Sequence, residues 1–92
     1  MIFTFADQDT ADLFAGERVK RFVNMTSVAQ RKLQLLDSAA TLDALRVPPG
    51  NRLEALAGDR KGQHSIRINN QWRVCFVWAD DGAHGVLIVD YH

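Results

Sequence analysis

The pattern of apolar and polar positions changes period once along the chain, and the change divides it into a helical part and a strand part. Ile2-Phe3-Thr4-Phe5 reads as a short opening strand. A helical pattern begins at Thr10 and runs to Phe14, preceded by Asp7 and Asp9, two carboxylates suited to a helix N-terminus. Gly16 breaks it, and Arg18, Lys20 and Arg21 follow in a basic connection. The clearest helix spans Ser27 to Ser38. Ala29, Leu33, Leu36 and Ala40 supply an apolar stripe that should face a sheet, and Ser27 with Gln30 is a capping-box pattern. Thr41 to Leu45 has the pattern of one further turn. Val47-Pro48-Pro49-Gly50 then stops helix formation, because two prolines remove two backbone donors and push the preceding residues out of the α region.

Beyond the prolines the period is 2. Leu53 to Leu56 begins an extended segment, and Gly58-Asp59-Arg60-Lys61-Gly62 is a loop with a glycine at each end to permit positive φ. His64, Ile66 and Ile68 alternate with Ser65 and Arg67; Trp72, Val74, Phe76 and Trp78 alternate with Arg73, Cys75 and Val77. Asn69-Asn70 between the two runs is a hairpin turn in which Asn tolerates the left-handed region. Asp80-Asp81-Gly82 turns the chain again, and Val86 to Val89 reads as a last strand. His84 falls in the turn before it and His64 at a strand edge. The order implies an α+β fold: a short N-terminal strand and two helices packed on one face of a small antiparallel sheet. Ile66, Ile68, Trp72, Val74, Phe76 and Trp78 face the helices in this scheme. Ser65, Arg67, Arg73 and Cys75 face solvent or a ligand.

Composition adds bounds. A chain of 92 residues with 47% hydrophobic and 24% charged residues is expected to be one soluble domain, spanning residues 1–92. It has no basic, apolar leader and no apolar run near the roughly 20 residues needed to span a bilayer. A single cysteine, Cys75, excludes an internal disulfide and fits a reducing, cytoplasmic setting. The net charge of zero argues against a generic polyanion binder, but residues 46–75 carry a local excess of four positive charges. Arg46, Arg52, Arg60, Lys61, Arg67 and Arg73 face only Glu54 and Asp59 there. The hairpin region is the part to meet phosphates.

Arg67 and Arg73 fall on one face of adjacent strands. They read either as a phosphate clamp, since guanidinium groups form paired hydrogen bonds to phosphate oxygens, or as ordinary charges keeping an exposed face polar. Arg60 and Lys61 are likewise either a nucleic-acid contact or a solvated connection. His92 can exchange a proton near neutrality, and the carboxylates of Asp90 and of its own end would favour its protonated form; the other reading is a frayed terminus. His64, His84 and His92 lack metal-ligand spacing, so no metal site is expected.

The run RLEALAGDRKGQHSIRINNQWRVCFVW, followed by IVDYH, resembles the HigB family of toxins within the RelE-like superfamily. The matching features are the Leu-x-x-Leu-x-Gly-Asp-Arg-x-Gly loop, the Ser-Ile-x-Ile-Asn and Trp-Arg-Val-x-Phe strands, and the Asp-Tyr-His end. The resemblance extends over essentially the whole chain. It implies a RelE-like fold and a toxin that cuts messenger RNA on the ribosome without a cofactor, neutralised by a helix-turn-helix antitoxin and meeting operator DNA only through that complex. By resemblance, Asp90, Tyr91 and His92 match the family's catalytic end, and Arg73 a strand arginine that holds the scissile phosphate. Arg60, Lys61 and Arg67 would bind RNA or ribosome backbone. Two positions depart from the pattern: Glu54 stands where some members have a catalytic histidine, and Ala57 where many have a lysine. Glu54 remains a possible base. The alternative is a weak or inactive homologue that binds antitoxin and RNA without cutting.

Overall fold

The computed structural model describes residues 1–90. The first helix, α1 (Gln8–Phe14), starts where Asp7 accepts a hydrogen bond from the Thr10 amide at 3.0 Å. The second, α2 (Thr26–Ser38), buries Ala29, Leu33 and Leu36, the stripe anticipated from spacing; Ala40 lies past its end and is exposed. The Ser27–Gln30 capping box does not form. Met25 is the N-cap without a side-chain bond, and Gln30 instead donates to the Leu13 carbonyl, tying α2 to the end of α1. After α2 the chain makes short 3-10 turns at Asp43–Arg46 and Pro49–Asn51, as expected of a segment that prolines keep from becoming α-helical.

The sheet has four antiparallel strands in the order β1 (Glu54–Ala55), β2 (His64–Arg67), β3 (Trp72–Ala79) and β4 (Gly82–Asp90). Gly58 and Gly62 both take positive φ, at 64° and 94°, so the β1–β2 loop is built as its sequence requires. The Asn69-Asn70 turn works differently. Neither residue has positive φ; the Asn69 side chain accepts from the amides of Gln71 and Trp72 at 2.8 and 2.9 Å and caps the hairpin that way. β4 is longer than the apolar run indicated, and His84 sits within it opposite Val77 rather than in a turn.

No independent N-terminal strand forms. Residues 2–5 make two isolated parallel bridges to β4, Ile2 with Ala83 and Phe5 with Val86, and the Ile2 amide donates to Asp37 of α2 at 2.8 Å. Four residues with one polar interruption are too few for a regular ladder, but they cover the outer edge of β4. The core lies between the helices and one sheet face, with Leu13, Phe22, Leu33, Leu36, Ile66, Val74, Phe76 and Ile88 at 0–2% exposure. Phe22 meets the edge of Trp72 at 5.5 Å. Among the described residues no helix is long and apolar enough to cross a membrane.

Candidate functional site

On the sheet face turned from the helices, register sets two rows side by side. Glu54, Ser65, Cys75 and Leu87 are successive cross-strand partners, and Arg67, Arg73 and Val89 form the next row. This face is not open as the alternation implied. Ser65 and Cys75 are fully buried and Arg73 is 8% exposed. The reason is Arg73 itself, whose side chain lies along the sheet and donates from Nε to Ser65 Oγ at 2.8 Å. Its Nη2 donates to the Arg52 carbonyl at 2.7 Å, bringing in the segment that follows the two prolines. The same nitrogen is 3.4 Å from Glu54 Oε1, and Glu54 keeps 49% of its side chain exposed. Arg73 and Glu54 are therefore an ion pair, with the cation inside and the carboxylate outside.

Arg67 is half-buried and turns the other way, donating to Asn70 within the hairpin. Arg52, Arg67, Asn69, Asn70 and Arg73 line a cleft of about 380 Å³. Three arginines and the two asparagines of the turn form its wall. Such a cleft offers fixed, paired donors to an oxyanion.

A lysine approaches from α2. Lys32 Nζ donates to Asn51 Oδ1, and burial, with Arg31 and Arg67 nearby, lowers its pKa from 10.5. Asn51 is fully buried and donates to the carbonyls of Leu45 and Val47 at 3.1 and 3.3 Å. Behind Arg73, Cys75 is a buried thiol. Burial raises its pKa, partly offset by the Arg60 and Arg73 guanidiniums, and Glu54 adds to the rise. A thiol held protonated and out of contact with solvent is a packing residue.

The structure thus brings together Arg73, Glu54 and Arg67. Arg60, half-buried in the Gly58–Arg60 turn, acts electrostatically on Cys75 from the β1–β2 loop, and Lys61 beside it is exposed; neither lines the cleft. Asp90 is opposite Trp72, next to Arg73, and accepts from Gln71 at 3.1 Å. Tyr91 and His92 lie outside the described residues. Arg52, Lys32 and Asn51 were not singled out from sequence. Arg52 was legible only as one of six basic residues, although its place between Pro-Pro-Gly-Asn and the strand carrying Glu54 is a distinguishing signal.

Two helices on a four-stranded antiparallel sheet, with an arginine-lined cleft on the far face, define a class of small α+β proteins. Within it the chain belongs to the family described as "RelE-like toxin of type II toxin-antitoxin system HigB", which it matches over residues 3–92. It is 38% identical over 82 residues to Toxin HigB-1 of Vibrio cholerae, covering 87% of this chain and 86% of that one. An uncharacterized protein of Haemophilus influenzae is 32% identical over 69 residues, covering 75% of this chain and 67% of that one. The YoeB–YefM complex from Staphylococcus aureus contains a chain of like fold, with a TM-score of 0.61 at 17% identity, covering 100% of this chain and 98% of that one.

Proposed function

We propose that this toxin is an endoribonuclease that cuts messenger RNA on the ribosome by acid/base transesterification, with no metal or cofactor taking part. A base removes the proton of a ribose 2′-OH. The alkoxide attacks the adjacent phosphorus, and the 5′-oxygen of the next nucleotide leaves with a proton from an acid, giving a 2′,3′-cyclic end. The step needs a proton acceptor, a proton donor and cationic stabilisation of the phosphorane charge. Arg73 is assigned to the phosphate, because it is fixed by Ser65 and the Arg52 carbonyl while lining the cleft. That anchored guanidinium is the observation that carries the reading: Ser65 and the Arg52 carbonyl hold it at the wall of the cleft, where a fixed cation can stabilise developing charge.

His92 is assigned to proton transfer, Tyr91 to orienting or stacking on a base, and Asp90 to positioning its neighbours. β4 ends opposite Trp72, beside Arg73, and Tyr91 and His92 follow in the sequence. Glu54 is the candidate base, 3.4 Å from Arg73 and half exposed. Arg60, Lys61 and Arg67 are assigned to RNA or ribosome backbone. The zero net charge fits an enzyme that gains part of its binding from the ribosome. The partner is a helix-turn-helix antitoxin, through which alone operator DNA is met; the like-folded YoeB occurs in complex with YefM.

The test is growth and mapped mRNA ends after induction of wild type, His92→Gln and Arg73→Ala. Cleavage by wild type and its loss in both variants is expected. Unchanged toxicity in both variants removes the site assignment. A second reading, a binding module that no longer cuts, is favoured by the Glu54–Arg73 ion pair, which already occupies the phosphate-directed guanidinium with an anion. It wins if wild type leaves mRNA on translating ribosomes intact.

A further inference from the structure

We propose that Arg52 is a second phosphate ligand of the cleft, taking an RNA backbone phosphate adjacent to the one held by Arg73. The inference rests on the endoribonuclease reading of the same site. It starts from the backbone. Arg52 has φ 46° and ψ 55°, and among the described residues no other non-glycine residue has positive φ. A residue with a Cβ is strained in this left-handed region, whereas glycine enters it freely and asparagine tolerates it. The chain carries Gly50 and Asn51 immediately before, yet neither takes the strained conformation. A long cation occupies it instead.

The surroundings show what enforces that conformation. Asn51 is locked by its bonds to the Leu45 and Val47 carbonyls and by the ammonium of Lys32, and its amide donates to the Pro48 carbonyl at 3.0 Å. On the other side of the turn, the Arg52 amide donates to the Pro49 carbonyl at 3.1 Å, and the Arg52 carbonyl accepts from Arg73. Every structural bond made at position 52 is therefore a backbone bond, which glycine would also make. The guanidinium has no hydrogen-bond or ion-pair partner among the described residues, and it lines the cleft. Strain retained where the side chain has no structural duty marks a position held for its side chain.

Electrostatics identifies the ligand. Arg52, Arg67 and Arg73 all line the one cleft, and the ion pair with Glu54 serves only Arg73 among them. A further anion at Arg52 and Arg67 relieves the repulsion and uses the planar fork, which matches phosphate oxygens. Of the cleft-lining cations, Arg73 is anchored in the sheet and Arg52 belongs to the turn whose carbonyl Arg73 meets. Consecutive phosphodiesters of a single strand are the ligand such a pair fits.

The experiment measures binding of a single-stranded RNA decamer carrying 2′-O-methyl groups, which cannot be cut, across a range of KCl concentrations. Each phosphate contact on a single strand contributes about 0.7 to the slope of log affinity against log salt. Arg52→Gly is expected to lower that slope by about 0.7, so that its affinity falls about fourfold less than wild type's over an eightfold rise in salt. Arg52→Lys should keep the slope, and the melting temperature of Arg52→Gly should equal or exceed wild type's. An unchanged slope in Arg52→Gly overturns the proposal, as does wild-type binding that does not respond to salt. A lowered melting temperature with an unchanged slope assigns Arg52 to structure alone. The two readings fail separately: mRNA cleavage lost in Arg73→Ala with no slope change in Arg52→Gly removes only Arg52. A slope change without any wild-type cleavage keeps the RNA contact and removes the nuclease.

Discussion

Arg67 and Arg73 are direct partners across β2 and β3, yet they point their charges into different environments. Like charges set opposite one another destabilise a sheet, and the fold separates them. Arg73 turns along the sheet to Ser65, the Arg52 carbonyl and Glu54, while Arg67 turns out to Asn70. Removing Arg73 leaves the buried Ser65 Oγ and the part-buried Arg52 carbonyl without that donor. Arg73→Ala is expected to cost about 1–3 kcal/mol in urea unfolding, and Arg73→Lys, with no planar fork, should recover only part of this. Arg67→Ala should leave stability within about 0.5 kcal/mol of wild type, because its bond is made at the surface. Equal losses in the two variants would refute this division.

The strand period, the helix stripe and the loop glycines were readable because each depends on local pattern. The burial of Arg73 was not. Alternation assigns it to the far face correctly, but that face is closed by the segment after Pro48-Pro49, which reaches Arg73 through a backbone carbonyl. A contact between a side chain and a carbonyl 21 residues away leaves no periodic trace. The same holds for Lys32, an ordinary helix-surface lysine by pattern, whose partner Asn51 lies 19 residues on. The Glu54–Arg73 pairing follows from register once β1 and β2 are aligned, and a two-residue strand gives little sequence signal for that register.

Lys32 carries a pH dependence. Its folded pKa is lowered from 10.5, by burial first and by Arg31 and Arg67 next, so the unfolded chain binds the proton more tightly. Below the folded value both states are charged and the cost of holding the ammonium in place is fully present. As pH rises from that value to 10.5, the folded state releases its proton first and the cost disappears. Stability measured relative to Lys32→Met should therefore increase with pH through this window. A flat or falling difference in parallel denaturant titrations would exclude it.

Asn51 is the residue on which this corner depends. Its side chain serves two carbonyls and one ammonium from a fully buried position. Asn51→Ala is expected to cost about 1–3 kcal/mol, a fall of several degrees in melting temperature for a chain of this size. Lys32→Met removes one of the three bonds and should cost less. The order of the two melting temperatures checks the assignment.

Asp81 and His84 close the β3–β4 turn with a 2.8 Å contact, and Phe3 stacks on the imidazole at 5.1 Å. The hydrogen bond from His84 is the main cause of the lowered Asp81 pKa. A depressed carboxylate contributes stability above its unfolded value, 3.8, and loses that contribution as pH falls through the folded value. An NMR titration should give an Asp81 midpoint below 3.8 in wild type and a higher one in His84→Ala. Identical midpoints would show that the contact does not persist in solution.

Glu54 and Ala57 are the two positions that the resemblance marks as departures, and their structural settings make that reading testable. Glu54 places a carboxylate 3.4 Å from the guanidinium assigned to phosphate, so an incoming phosphodiester must displace an anion already there. Histidine removes that competitor and supplies a group that titrates near neutrality, with an ordinary pKa of about 6.5. Because the Glu54 side chain is 49% exposed, the lost ion pair should cost no more than about 1 kcal/mol. Ala57 is exposed at the start of the Gly58–Arg60 turn, where a lysine fits without burial and adds a cation beside Arg60 and Lys61. Glu54→His is expected to raise mRNA cleavage on translating ribosomes, and Ala57→Lys to steepen the salt dependence of RNA binding by about 0.7. The double variant should cut fastest. If wild type already cuts as fast as the double variant, Glu54 is serving as the base, and the rate of Glu54→Gln should then fall sharply.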